Sequence, residues 1–141
     1  MVVPAALKRQ LPDVEREGLV VNCGFEKNLV IYTRAEWEKI LGQLSKLNQY
    51  QAKNRAFIRK FMSGATELSL DAAGRVLLPK KLLEYAEVSN ELVLVCNLEK
   101  VEVWSKAKYE EQLEEISEDD FSDLAEQVMG GFNLGGDQDG E

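Results

Sequence analysis

Histidine is absent from the 141 residues, and cysteine, proline and long apolar runs are scarce. Without histidine the chain has no Ser-His-Asp or Cys-His catalytic set and no histidine-ligated zinc or iron. Cys23 and Cys96 are too few for a structural zinc site, and each stands in an apolar run, so we expect buried free thiols. No run could cross a bilayer and no signal peptide begins the chain, so the expected location is the cytoplasm, on the nucleoid if the chain binds DNA.

The motifs of enzymes are missing as well. Neither a dinucleotide-binding glycine pattern nor a phosphate-binding loop occurs. The motifs offer no set of nucleophile, base and oxyanion donor. We therefore expect no enzyme, no cofactor, no metal, no membrane contact and no small-molecule substrate.

The charges are segregated along the chain. A net charge of −8 would repel DNA from an average surface. However, acidic residues are concentrated after residue 110, whereas basic residues lie earlier, at Lys8, Arg9, Lys53, Arg55, Arg59, Lys60, Arg75, Lys80 and Lys81. An acidic protein with this distribution can bind DNA if one face collects the cations.

The stretch from residue 68 to 79 is typical of a β-hairpin. Leu68 and Leu70 alternate with a polar residue, as in a half-buried strand. Asp71 to Gly74 forms a tight turn, because aspartate bonds the amides that follow it and glycine accepts a positive φ. A second strand is predicted over Arg75–Leu78, and Pro79 ends it and permits a helix to begin. The hairpin places an acid and a base beside its turn.

The sequence contains two copies of one structural unit. Each copy has a strand end, a proline with a short helix, two further strands, and a capped amphipathic helix. The paired segments are Val2–Leu11 with Leu77–Ala86, Leu19–Cys23 with Leu92–Cys96, Leu29–Tyr32 with Val101–Trp104, and the caps Thr33 with Ser105.

Three apolar stripes at helical spacing are predicted to be buried. They are Trp37, Leu41 and Leu44; Tyr109, Leu113 and Ile116; and Tyr50, Phe57, Ile58, Phe61 and Met62 after a break near Asn48. After a cap at Ser117, a final amphipathic helix is predicted from Phe121, Leu124, Ala125, Val128 and Met129. The resulting domain assignment is a first repeat over 1–47, a helical connector over 48–65, a second repeat over 66–116, a helix over 117–129 and a disordered tail over 130–141.

The repeat also exposes a gap at the front. Met1 aligns with Val76, so the counterparts of Arg75 and Asp71 would lie upstream of the first residue. The first copy therefore lacks its leading strand and turn. We interpret the sequence as truncated, or its start as misassigned, with an unpaired strand edge as the result.

With these motifs in order, the chain resembles the MraZ family, bacterial regulators of the division and cell-wall gene cluster. The matching motifs are Asp71-Ala-Ala-Gly-Arg75, the connector segment 55–67, the strand end Glu102-Val-Trp104 and the duplicated strand-proline-helix unit. Together they lie within Val2 to Leu113. The resemblance implies an α+β fold of two pseudo-symmetric AbrB-like swapped-hairpin β-barrel halves with flanking helices, the first half missing its leading hairpin.

The resemblance also implies a function. Members of this family assemble as homo-oligomeric rings and bind short direct repeats in double-stranded promoter DNA, usually as repressors. The motif places Asp71, Gly74 and Arg75 at the DNA surface, where Arg75 would contact a phosphate or a guanine edge and Asp71 would hold the turn. The basic pairs Lys80-Lys81 and Lys8-Arg9 are further candidate DNA contacts.

Other interpretations of these residues remain open at this point. Arg75 and Asp71 could form only an exposed ion pair, which contributes little stability. Each lysine could simply be part of a solvated helix face. The alternative function is a protein-interaction or scaffold oligomer without DNA contact.

Overall fold

A computed structural model describes residues 17–97 and 100–130 of the chain. The strands are β1 (Leu19–Cys23), β2 (Leu29–Thr33), β3 (Thr66–Leu68), β4 (Leu92–Asn97) and β5 (Lys100–Ser105). The helices are α1 (Arg34–Leu44), α2 (Ala52–Met62), α3 (Lys80–Tyr85), α4 (Lys106–Glu114) and α5 (Glu118–Met129). The predicted elements Val2–Leu11 and the tail beyond residue 130 lie outside the described residues.

All five strands form one antiparallel sheet in the order β3-β1-β2-β5-β4. The hairpins β1–β2 and β4–β5 are the two copies of the repeated unit, and they join through β2 and β5. Strand β3, which leads into the second copy, pairs with β1 of the first copy, so that Leu68 lies opposite Leu19. The fold class is therefore α+β, and the sheet is antiparallel.

The sheet buries both of its faces, because alternate residues of β1 point to opposite sides. Leu19 and Val21 belong to the larger cluster, which Val76, Leu78, Leu82 and Ala86 cover. Val20 belongs to the smaller cluster, which Tyr32 and Trp37 complete. Because the segment after Arg75 contributes two residues to the larger cluster, the core fixes the position of the turn before it.

Most elements predicted from the two copies are confirmed, including the three helix caps. The hydroxyl oxygen of Thr33 accepts from the Glu36 amide at 3.1 Å. That of Ser105 accepts from the Lys108 amide at 3.1 Å, and that of Ser117 accepts from the Asp120 amide at 3.1 Å. These bonds satisfy amides that lack a partner within the helix.

The predicted strand Arg75–Leu78 is wrong as a strand. Only Arg75 makes a bridge of the strand type, and residues 76–79 belong to neither a strand nor a helix. The ladder of β3 ends at Leu68 because its partner β1 begins at Leu19. Before Leu19, Gly18 adopts a left-handed φ of 77°, and a Cβ at that position would lie 2.6 Å from the Leu68 carbonyl oxygen. The ladder between β1 and β3 therefore ends at Leu68, before the turn at residues 71–75.

Two expectations of burial are also wrong. Strand β4 is half-buried rather than covered on both faces, because it is the edge strand of the described sheet, and Cys96 is exposed while Cys23 is partly exposed. The apolar stripes of the two copies and the connector are incomplete as core faces, since the exposed large apolar side chains include Leu41, Tyr50, Leu113 and Ile116. Helical spacing shows that a face is apolar, but not that a partner covers it.

The chain divides into two compact units, Met1–Lys108 and Tyr109–Glu141. The described part of the first unit holds the sheet and helices α1 to α3. The described part of the second unit holds the rest of α4 and all of α5, whose residues are almost all exposed. Within the residues that the structure describes, no helix is long and apolar enough to traverse a lipid bilayer.

Candidate nucleic-acid interface

Hydrogen bonds to and from Asp71 hold the turn at residues 71–75. The Gly74 amide donates to the Asp71 carbonyl oxygen at 2.9 Å, and the Asp71 amide donates to the Arg75 carbonyl oxygen at 2.9 Å. One carboxylate oxygen of Asp71 accepts from the amides of Ala73, at 2.9 Å, and Arg75, at 2.8 Å. Gly74 has a φ of 77°, which glycine adopts without the steric cost that a side chain would bring.

The second carboxylate oxygen of Asp71 accepts from Nε of Arg75 at 3.2 Å. An arginine side chain carries five N–H donors in a fixed plane. Nε is the only guanidinium nitrogen of Arg75 that donates to a residue within the described part of the chain, so four N–H groups are left for another molecule. With 59% of the Arg75 side chain exposed, the group can reach such a partner.

The hydrogen bonds to Asp71 lower the pKa of its carboxyl group. The bond from the Arg75 amide is the main cause. Desolvation, the next largest effect, raises the pKa, and the Ala73 amide and the Arg75 side chain lower it further. Because the pKa is lower in the folded chain, the carboxylate supports the turn above its ordinary pKa. This support is lost only when the pH falls through the depressed value, so the turn keeps its geometry at neutral pH.

The segment after the turn keeps an alternating pattern although it is not a ladder strand. Val76 and Leu78 are buried, whereas Arg75 and Leu77 are exposed. Leu77, at 88% exposure, lines a shallow depression of about 350 Å³ together with Ser69, Asp71, Arg75 and Val76. The sequence argument did not single out Leu77, although strand alternation already placed it on the face of Arg75.

The predicted basic pairs have different outcomes. Lys80 and Lys81 are both exposed in the first turn of α3, where the Pro79 carbonyl oxygen accepts from the amides of Leu82 and Leu83. A lysine in a first turn opposes the helix dipole slightly, so neither lysine stabilises this end of α3 through the dipole. Lys8 and Arg9 lie outside the described residues. The structure therefore brings Asp71, Gly74 and Arg75 together in one turn. Lys80 and Lys81 follow this turn closely in sequence and are exposed.

Comparison with known proteins identifies the family. A family described as "MraZ protein, putative antitoxin-like" matches the chain twice, over residues 1–60 and 61–131. The chain belongs to the MraZ family. Two consecutive matches to one family are what a duplicated unit produces, and together they include the turn, both copies and α5.

Individual members of the family align along nearly the whole chain. A protein of Christiangramia forsetii named Transcriptional regulator MraZ is 40% identical over 137 residues, which cover 96% of this chain and 88% of that protein. Proteins with the same name from Flavobacterium psychrophilum and Pediococcus pentosaceus are 38% and 36% identical, and they cover 94% and 92% of this chain and 85% and 87% of their own lengths. The resemblance drawn from the duplicated unit, the Asp71–Arg75 motif, the connector segment and the Glu102-Val-Trp104 strand end is thereby confirmed.

Proposed function

We propose that this family member is a transcriptional regulator that binds double-stranded promoter DNA through the turn at residues 71–75. The observation that carries the proposal is the state of Arg75. Asp71 fixes the guanidinium at Nε, and the remaining N–H groups face no acceptor in the described part of the chain. A fixed guanidinium with a free pair of nitrogens matches the bidentate acceptors of a guanine edge or a phosphate.

Within this proposal the residues have different roles in DNA binding. Arg75 contacts the base edge or phosphate, Asp71 and Gly74 hold the turn that presents it, and Lys80 and Lys81 contact phosphates, as would Lys8 and Arg9. Phosphate contacts set position on the duplex, whereas base contacts set sequence preference. The excess of acidic residues after residue 110 would keep DNA away from other parts of the surface.

The proposed assembly is a ring of several copies that binds tandem short repeats in a promoter. One turn per copy binds weakly, but joining the copies raises the effective concentration of each turn for the next repeat. The proposed fold of the repeats is two AbrB-like barrel halves with exchanged hairpins. Support for the exchange comes from β3, which precedes the second copy in sequence and pairs with β1 of the first. The proposed role is repression of a division and cell-wall gene cluster, in the cytoplasm and on the nucleoid.

Binding to a promoter fragment with tandem short repeats tests this function. Fluorescence anisotropy should show tighter binding to the repeats than to a scrambled duplex, with affinity falling steeply between about 50 and about 200 mM salt. Arg75→Ala should cost about 1–3 kcal/mol per contact, or roughly a 5- to 150-fold loss of affinity. Lys46→Ala, which removes the same charge from the turn after α1, is the control. A chain that does not distinguish repeats from scrambled DNA would refute the proposal.

The rival function is a scaffold that associates through the same surface without DNA. The almost fully exposed Leu77 beside Arg75 favours it, because large exposed apolar side chains often mark protein contacts. Measuring the mass of the oligomer that Arg75→Ala forms in solution separates the two functions. Under the DNA proposal the oligomer survives and DNA binding falls, whereas under the scaffold proposal the oligomer dissociates.

A further inference from the structure

Leu77 presents a large apolar side chain to solvent on the same face as Arg75. The Leu77 side chain is 88% exposed, whereas its neighbours Val76 and Leu78 are 3% and 7% exposed. Single exposed leucines are common on protein surfaces, so this exposure by itself indicates no function. What distinguishes Leu77 is its position, because it lines the same shallow depression as Arg75 and Asp71.

The turn leaves few other side chains with which to contact another molecule. Its tip, residues 72–74, consists of two alanines and a glycine, so no side chain there extends beyond a methyl group. Both carboxylate oxygens of Asp71 already accept hydrogen bonds from within the turn, and Val76 is buried. Within residues 71–77, the large side chains that remain for an external contact are therefore those of Arg75 and Leu77.

The spacing of Arg75 and Leu77 is comparable with the spacing of base pairs. Exposure alternates from Arg75 to Leu78, as it does along an extended chain. Extended residues rise about 3.3 Å each, so two consecutive residues on one face stand about 6.6 Å apart. Successive base pairs of a DNA duplex are separated by about 3.4 Å. A segment that lies along the major groove therefore places Leu77 within about two base pairs of the base that Arg75 contacts.

The chemistry of the major groove restricts what Leu77 can contact favourably. Its base edges present hydrogen-bond donors and acceptors, and the 5-methyl group of thymine is the apolar group among them. A phosphate or a polar base edge that packs against leucine loses water and gains no hydrogen bond in return. A methyl group loses no hydrogen bond in the same contact, so thymine is the base that Leu77 favours.

We propose that Leu77 is a specificity-determining residue that contacts the 5-methyl group of a thymine within about two base pairs of the guanine that Arg75 contacts. Because the arginine side chain is longer and lies on the same face, Arg75 reaches a base edge wherever Leu77 does. This role rests on the proposed function and deepens it, since it names a part of the DNA sequence that the turn recognises.

Replacing thymidine by deoxyuridine tests the contact, because this removes the 5-methyl group and keeps the base pair and the O4 acceptor. Anisotropy titrations of the full-length chain use the promoter duplex with tandem repeats, and duplexes in which one thymidine position of every repeat carries deoxyuridine. We expect deoxyuridine at the contacted position to weaken binding by about fourfold or more, which is the contribution of burying one methyl-sized group.

Substitutions at Leu77 show whether this side chain makes the contact. Leu77→Ala should bind the unmodified duplex about fourfold or more weakly and should no longer distinguish thymidine from deoxyuridine, because the two changes remove the same contact. Leu77→Val should retain part of the discrimination. The control is Leu113→Ala, which truncates a leucine of α4 that is 60% exposed and should match the wild type. Circular dichroism and sedimentation velocity check that each variant keeps its fold and its mass in solution.

The distance between the two base contacts is tested with 7-deazaguanine, which lacks the N7 acceptor of guanine. Placed at one guanine position of every repeat, it should weaken binding by the wild type within about two base pairs of the sensitive thymine and should not affect Arg75→Ala. A sensitive guanine more than about three base pairs away, or no sensitive guanine, would overturn the proposed arrangement.

The failure of this inference differs from the failure of the proposed function. A wild type that prefers the repeats but binds every deoxyuridine duplex equally well refutes only the role of Leu77. The same holds if Leu77→Ala remains as sensitive to deoxyuridine as Leu113→Ala, or if its oligomer dissociates, which would assign Leu77 to a protein contact. A wild type that does not distinguish repeats from scrambled DNA refutes the proposed function itself, and the role of Leu77 with it.

Discussion

Replacing Asn22 by alanine should destabilise the fold more than any exposed polar substitution. Asn22 lies in β1 with 0% of its surface exposed. Its side-chain nitrogen donates to the Phe61 carbonyl oxygen at 2.9 Å, and its side-chain oxygen accepts from the Cys23 amide at 2.8 Å. Because Phe61 is in the last turn of α2, where carbonyls lack partners within the helix, this side chain ties α2 to the sheet.

The magnitude follows from the two groups that lose their partner. A buried donor or acceptor left without a hydrogen bond costs about 1–3 kcal/mol. Alanine leaves both the Phe61 carbonyl and the Cys23 amide unpaired, so we expect a loss of about 2–5 kcal/mol in the free energy of unfolding. The total free energy of unfolding of a folded domain is typically about 5–15 kcal/mol, so the expected loss is a large fraction of it.

Urea unfolding at a fixed protein concentration, followed by circular dichroism, measures this loss. With a slope of roughly 2 kcal/mol per molar urea, the midpoint should fall by about 1–2 M. Asn54→Ala is the control, because Asn54 also donates to a carbonyl oxygen, that of Asn48 at 3.0 Å, but in an exposed contact. We expect about 0.5 kcal/mol or less there. Equal midpoints for the two variants would refute the assignment of Asn22 as the tie between α2 and the sheet.

Three further predictions concern the turn, a helix cap and the thiols. Asp71→Asn should retain more affinity for tandem repeats in anisotropy titrations than Asp71→Ala, because an amide oxygen still accepts from the two backbone amides; equal losses would contradict this role. Thr33→Ala should lower the unfolding free energy by about 1 kcal/mol in urea, since it removes the cap of α1. Iodoacetamide at neutral pH, followed by mass spectrometry, should label Cys96 before Cys23, because Cys96 is exposed while burial raises the pKa of Cys23 despite nearby lysines; faster labelling of Cys23 would reverse this order.

Local patterns predicted much of the secondary structure and the core of the candidate site. The apolar runs Leu19–Cys23 and Leu29–Tyr32 are strands within a residue of their predicted ends. The turn was predicted because aspartate and glycine three apart suffice to close it, and each of its hydrogen bonds spans four residues or fewer. The caps were predictable for the same reason.

Burial and pairing were less predictable. The apolar run of β4 gave no sign that this strand would be the edge of the described sheet, so Cys96 was wrongly expected to be buried. The alternation of Arg75 to Leu78 gave the correct faces, but residues 76–78 join no strand of the described sheet. Alternation alone therefore shows which face a residue takes and not whether a neighbouring strand pairs with it.

By itself, the sequence determined the four strands of the two hairpins, which residues cap the helices, and that Asp71 closes a turn beside Arg75. These outcomes depend on side-chain periodicity and on hydrogen bonds between residues a few positions apart. Only the tertiary structure decided that β3 pairs with β1 and that Asn22 holds α2. Those outcomes depend on which distant segments meet, because burial and pairing are properties of the contact and not of either segment alone.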